Sequence, residues 1–336
     1  MEEFGLTLPQ TQLMYSLEYN LVLTDIKLEE NKDKKRLKIT WLEKWRDSMN
    51  LILQNHKQVS PSMDVTLGLI TNFDELKVKA REQAQEVEHK FSFYLILLET
   101  TLFTPYYPIF GDARDNQFKG LKFADQNLIE EKLKSFARLL KLDSECIKRF
   151  QSHYKDAVSG IKGGFNPWIT GAVGAVVLAA VAALGTPIIA GILAPIVAPG
   201  LSGAAAVTSV LAFLGGGAIA AGGLGMAGGA AVIAGGGAIL GAGTGVGMGS
   251  LLAQSPTTAI NQAAKLEVVM KELIFVQKDI RLAQEIIKEQ RQGIRALEDE
   301  RDELMYNKQE NEEKIKKLEE ALDYLKRALQ RNQELL

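Results

Sequence analysis

The sequence predicts an all-α protein: an elongated helical bundle with a central Gly/Ala-rich apolar helical hairpin and a C-terminal coiled coil. Three observations predict it. Apolar residues recur at helical spacing through residues 1–162. Residues 163–264 contain no Asp, Glu, Lys or Arg. An apolar heptad then runs on from Leu266. The chain therefore divides into an N-terminal helical domain (1–162), a Gly-rich membrane-inserting segment (163–264) and a C-terminal coiled-coil arm (265–336).

In the first domain, Pro9 and Thr11 open a helix carrying Leu13, Leu17, Leu21 and Leu28 on one face. Lys32-Asp33-Lys34-Lys35-Arg36 reads as a solvated helix face or a turn between helices, with a lipid-headgroup patch as the sharper alternative. Trp41, Leu42, Trp45, Met49 and Ile52 continue at helical spacing. Two Trp four residues apart suit a helix core better than an interfacial anchor. Ser60-Pro61-Ser62 breaks the pattern. A long helix is expected from about Met63 to Leu102, ending in the apolar run 91–98, which is too short to span a bilayer. The prolines of Thr104-Pro105-Tyr106-Tyr107-Pro108 stop it, and a loop reaches Gly120. A helix–turn–helix unit follows over Asp125–Val158, with Asp143 placed to cap the helix of Ile147, Phe150 and Tyr154.

The central segment opens at Lys162-Gly163-Gly164-Phe165-Asn166-Pro167-Trp168. A snorkelling Lys beside Trp is what a headgroup boundary favours. Trp168 to about Leu184 makes a first apolar helix, and Gly185-Thr186-Pro187 bends or ends it. Ile188 to Val197 is shorter, limited by Pro195 and Pro199. Trp168, Gly174, Val177, Ile188, Leu193, Leu211, Phe213, Ile219, Leu224, Val232, Ile239 and Leu240 are the residues expected to enter lipid. Gly225/Gly229, Gly237/Gly241 and Gly245/Gly249 stand four apart. That spacing lines small residues along one helix face and lets two backbones approach closely. In lipid every backbone polar group must be bonded internally, which forces helix. In water each Gly costs about 0.8–1 kcal/mol relative to Ala. The segment is thus suited to storage against a soluble bundle and later release.

The C-terminal arm carries two heptad registers. One holds Leu266, Leu273, Ile280, Ile287, Ile294, Arg301, Lys308, Ile315, Leu322, Leu329 and Leu336; the other holds Val269, Val276, Ala283, Gln290, Leu297, Leu304, Asn311, Leu318, Leu325 and Asn332. Leu273, Ile280, Ile287, Ile294, Leu318, Leu322, Leu325 and Leu329 are the expected oligomerisation residues. The seam turns polar between about Arg301 and Asn311. Two readings follow: one continuous helix of roughly 100 Å, or a hairpin folded at the polar stretch.

Composition excludes several functions. With 39 basic against 41 acidic residues, no positive excess points to nucleic acid. One cysteine, Cys146, allows no disulfide within the chain and reads as a buried structural thiol in a reducing compartment. His56, His89 and His153 have no metal-ligand spacing, so no metal or other cofactor is expected. Gly223-Leu224-Gly225-Met226-Ala227-Gly228 matches a dinucleotide fingerprint by chance, since no βαβ pattern surrounds it. Neither a phosphate loop nor a Gly-x-Ser-x-Gly elbow occurs. An enzyme is therefore not expected. The acidic start, Met1-Glu2-Glu3, lacks a cleavable-signal pattern, giving an expectation of a cytoplasmic soluble form and a membrane-bound inserted form.

Long charged helices around a Gly- and Ala-rich apolar hairpin resemble the α-helical pore-forming toxins of the cytolysin A and haemolysin BL type. The succession of helical domain, apolar hairpin and leucine-zipper helix is similar to apolipoprotein L. The helix pair in Phe136–Ala157 also looks like short modules that precede glycine-rich membrane segments in several families. The resemblance concerns layout and carries over no site residues. It implies self-assembly and bilayer permeabilisation, as in a bacterial killing or self-killing effector. The expected partners are a lipid bilayer and further copies of the chain. The alternative is a constitutive membrane scaffold whose helical arms recruit a partner protein, and a soluble helical protein with a concealed core is a third reading.

Overall fold

The computed structural model describes residues 8–59, 68–86, 91–106, 113–162 and 256–336. Among the described residues 84% are helical and no strand occurs, so the chain is all-α there. The helices are α1 (Leu8–Leu28), α2 (Lys32–Val59), α3 (Phe73–Glu86), α4 (Phe91–Leu102), α5 (Gln126–Leu139), α6 (Cys146–Lys162), α7 (Pro256–Lys271), α8 (Ile280–Met305) and α9 (Lys308–Glu334). They fall into two compact units. The first holds α1 to α5 and the start of α6, through Gln151; the second holds the rest of α6 and α7 to α9.

In the first unit α1 is the central helix and meets α2, α3, α4 and α5. It is buried around most of its circumference: Leu13, Met14, Leu17, Leu21 and Val22 are all within 1% of complete burial, and so are Ser16, Glu18 and Asp25. A helix packed on every side cannot keep a purely polar face. Its buried polar residues bond along the helix instead. Ser16 Oγ donates to the Gln12 carbonyl (2.6 Å), Asn20 Nδ2 to that of Ser16 (2.8 Å) and Thr24 Oγ1 to that of Asn20 (2.8 Å). The same stripe fastens the non-helical residues 68–70. Gln12 Nε2 donates to the Gly68 carbonyl (2.6 Å), and the Ile70 N–H donates to Ser16 Oγ (3.0 Å).

The two tryptophans of α2 are core residues, both fully buried. Their rings stack at 6.1 Å. Tyr15 meets Trp45 edge-on at 6.2 Å, and Trp41 meets Tyr106 at 5.4 Å. The Lys32–Arg36 run forms the exposed first turns of α2, begun by Asn31, whose Oδ1 accepts from the Lys34 N–H at 3.0 Å.

The expected helix over Met63–Leu102 is not continuous. Residues 68–72 are non-helical, and α3 starts only at Phe73. Asn72 is the reason: its Oδ1 accepts from the N–H groups of Asp74 (2.8 Å) and Glu75 (3.2 Å), and those two acids occupy the positive end of the helix. At the other end α4 stops at Leu102, just before Pro105, as expected. The expected loop to Gly120 contains a 3-10 turn, Ala113–Phe118, that buries Phe118.

Asp125 caps α5 through the N–H groups of Asn127 (2.9 Å) and Leu128 (3.1 Å). Ile129, Leu133, Phe136 and Ala137 form its buried stripe. The helix ends with Lys141 in the left-handed region (φ 57) and the Leu142 N–H donating back to the Ala137 carbonyl (2.9 Å), which satisfies a terminal acceptor. Asp143 Oδ1 then accepts from the Glu145 N–H (3.0 Å) at the start of α6, and Cys146 is completely buried.

In the second unit α9 packs against both α7 and α8. The arm is not one continuous helix. It reverses at Tyr306–Asn307, inside the polar stretch Arg301–Asn311, so of the two sequence readings the hairpin holds. Gln290 pairs with Asn332 (3.0 Å) and Glu298 with Lys326 (2.6 Å), which makes α8 and α9 antiparallel. A second interruption carries no Gly or Pro signal. After α7 a π-helical turn, Glu272–Gln277, leads to Lys278 in the left-handed region (φ 61). Asp279 restarts the helix by accepting from the Leu282 N–H at 3.0 Å.

Candidate functional site

The expected lipid-entering residues Trp168, Gly174, Val177, Ile188, Leu193, Leu211, Phe213, Ile219, Leu224, Val232, Ile239 and Leu240 lie outside the described residues. So do the packing glycines Gly225, Gly229, Gly237, Gly241, Gly245 and Gly249. The final part of the charge-free run lies inside: residues 256–264 begin α7, with Pro256 in the first helical position, where its missing N–H costs nothing. Ile260, Ala263 and Ala264 are buried there. Among the described residues no helix is long and apolar enough to cross a membrane.

The two roots of the central segment, the end of α6 and the start of α7, meet the same helix. Arg331, near the end of α9, reaches both. Its guanidinium holds Glu267 of α7 by two parallel bonds, Nε to Oε2 at 2.6 Å and Nη2 to Oε1 at 2.7 Å. The same guanidinium lies on Gly160 of α6. A Cβ on that residue would stand 2.5 Å from Cζ and closer still to Nη1, so the missing side chain makes room for Arg331. A glycine late in a helix is otherwise unfavourable by roughly 1 kcal/mol. One turn earlier on α9, Arg327 Nη1 donates to the Ile161 carbonyl (3.2 Å), one of the terminal acceptors of α6. A cation at that position also complements the helix dipole.

Glu267 is 1% exposed, and its neighbours decide its charge. Burial alone would raise its pKa. The bonds from Arg331 and Lys271 (Nζ to Oε1, 2.8 Å), together with their charges, outweigh burial and hold the carboxyl below the ordinary glutamate range. Arg331 is correspondingly pushed up, by the bond to Glu267 first, with a smaller contribution from the field of Asp156 on α6. The fork geometry fixes direction as well as charge, which a lysine would not do.

The heptad residues are placed within the chain. Leu273, Ile287, Ile294, Leu318, Leu322 and Leu325 are buried in the second unit, and Leu329 is partly exposed. Ile280 stands apart at 42% exposure, because the break at Lys278 takes it off the seam; Phe275 and Val276, before the break, are exposed too. Sequence reasoning missed Gly160, Glu267, Arg327 and Arg331. The only signal was an isolated glycine in an otherwise good helix.

A second cluster of charges, in the first unit, is saturated. Asp25 and Lys38 are completely buried and paired at 2.6 Å, and Lys38 also meets Glu29 at 3.0 Å. The Tyr106 hydroxyl donates to the same Asp25 oxygen, and the Ala124 N–H donates to the other at 2.6 Å. Burial, then the adjacent Asp25 charge, pushes the Tyr106 pKa far up, so the phenol stays a donor. The bond from Lys38 holds Glu29 below the usual range. This arrangement ties α1, α2 and two loops together and leaves no free base or nucleophile. Among the described residues no group of His, Cys, Asp and Glu could hold a metal ion. Comparison with family profiles, curated protein sequences and solved structures finds no match for this chain.

Proposed function

We propose that this chain is a membrane-inserting, self-assembling helical protein that permeabilises a lipid bilayer. The observation that carries the reading is the absence of any Asp, Glu, Lys or Arg from residues 163–264, between arms rich in charge. A bilayer accepts such a stretch as helix, and water does not reward it. In this reading the segment forms an apolar helical hairpin whose glycines, four apart, let neighbouring helices close up. The clasp around Arg331 supports it, since a hairpin must leave and re-enter its carrier close together.

Self-assembly uses the heptad residues of α8 and α9, which then act as a coiled coil between copies. Most of those residues, Ile287, Ile294, Leu318, Leu322 and Leu325 among them, are covered by their own chain, so assembly requires the hairpin to open at Tyr306–Asn307 and exchange its partner for another copy. The test is dye release from vesicles of phosphatidylcholine and phosphatidylglycerol, measured beside oligomer size. The full chain is expected to release dye as an oligomer, and a chain lacking residues 163–255 to release none. A full chain that binds vesicles without leakage supports the scaffold alternative instead.

A further inference from the structure

We infer that the Arg331 clasp is a latch: it holds the two roots of the charge-free segment together, and its opening precedes insertion. The inference rests on the insertion reading above, but the latch itself has its own geometry. A single guanidinium touches the entry root at Gly160 and the exit root at Glu267. Arg327 adds the bond to the Ile161 carbonyl. The last turns of α9 are thus held to both roots through polar groups. Asn332, next to Arg331, is instead buried and bonds the Gln290 side chain of α8.

Polar contacts of this kind can be exchanged. The Arg331 side chain is 34% exposed and that of Arg327 is 43% exposed, so water and other anions reach both. Releasing the guanidinium frees a side chain that water already reaches, and the buried Glu267 carboxylate keeps Lys271 as its partner (Nζ to Oε1, 2.8 Å). The latch is therefore the part of the α9 end that water can reach, beside the buried Ala328 and Asn332. Leu318 and Leu322, nearer the middle of the helix, stay held by burial.

The experiment uses the full chain with Cys146→Ala and spin labels at Ser159 and Leu266, both partly exposed root positions. Two variants open the clasp differently. Arg331→Ala removes the guanidinium and leaves Glu267 with Lys271. Gly160→Ala pushes the guanidinium away with a methyl group while improving the helix propensity of α6, so it keeps the protein folded. Both are expected to lengthen and broaden the inter-root distance at unchanged helix content, and to speed leakage from phosphatidylglycerol-containing vesicles several-fold. An unchanged distance in folded Gly160→Ala and Arg331→Ala overturns the latch. Opened roots with leakage at the parent rate overturn it too. Opened roots with no leakage from any variant, the parent included, support the clasp as the contact joining the roots and remove the insertion reading instead.

Discussion

The two units bury charge and polarity in different ways. In the first unit the buried ion pair Asp25–Lys38 sits among aromatic rings, and Asp25 reaches residues 81 and 99 positions away along the chain, Tyr106 and Ala124. In the second unit the buried seam is aliphatic, and its polar pair, Gln290–Asn332, crosses between two antiparallel helices. The first arrangement locks loops onto a central helix. The second fixes the register of a hairpin and leaves its end held by exposed arginines. A unit stapled by a saturated, fully buried carboxylate has no cheap route to local opening. The second unit also buries a carboxylate, Glu267, but the Arg331 side chain that holds it is 34% exposed, so water reaches that bond.

The largest expected effect breaks the first unit. Asp25→Ala leaves the buried Lys38 with Glu29 alone and removes the acceptor for Tyr106 and Ala124, at a cost of about 3–5 kcal/mol. Trp41 and Trp45 make tryptophan fluorescence in denaturant the natural measurement. Hydrogen exchange in α8 and α9 should stay as it was.

Leu322→Ala is the matching cut in the second unit. Truncating a fully buried leucine costs about 2–5 kcal/mol. Hydrogen exchange should rise across α8 and α9 while the tryptophan signal of α2 holds. If both units lose protection together, the division between them fails.

A smaller effect of opposite sign is expected from Gln290→Leu combined with Asn332→Leu. One polar atom on each side chain, Gln290 Nε2 and Asn332 Oδ1, is buried without a hydrogen bond. Replacing both residues should stabilise the hairpin by about 1 kcal/mol. It should also loosen the register, because a polar pair in an apolar seam fits only one alignment. Thermal melting reads the first result, and disulfide trapping between α8 and α9 positions reads the second.

The smallest effect is a pH dependence. Glu267 has a folded-state pKa below its ordinary value, so its stabilisation is fully present above about pH 4.5 and is lost as pH falls through the folded value. Glu267→Gln should flatten the acid limb of second-unit stability below that pH and change little at pH 7 beyond a constant offset. An unaltered acid limb would show that Glu267 does not titrate there.

Much of the helical layout is legible in the amino-acid sequence. The stripe of Leu13, Leu17 and Leu21 is buried, the Trp41–Trp45 pair is core, Asp125 and Asp143 stand at helix starts, and the turn at Tyr306–Asn307 is one of the two readings that the polar stretch offers. The start of α3 is legible in principle, since Asn72 followed by two acids is a capping signal that the apolar pattern of the region overshadows. The break at Lys278 is not. It contains no Gly or Pro, and the heptad runs through it unbroken, so nothing local in the sequence marks a left-handed lysine there. The clasp is hidden for another reason: Gly160, Glu267 and Arg331 lie far apart in sequence, and each looks ordinary alone.

By itself the sequence determined that the described chain is helical, which faces of those helices are apolar, and that residues 163–264 carry no charge. These are local properties of spacing and side-chain chemistry, written in every turn. Only the tertiary structure decided that the heptad closes on its own chain, that Asp25 gathers donors from distant segments, and that both roots of the central segment meet Arg331. Those outcomes depend on which distant groups arrive at one place, and a buried carboxylate or a bare glycine Cα acquires meaning only from what is packed against it.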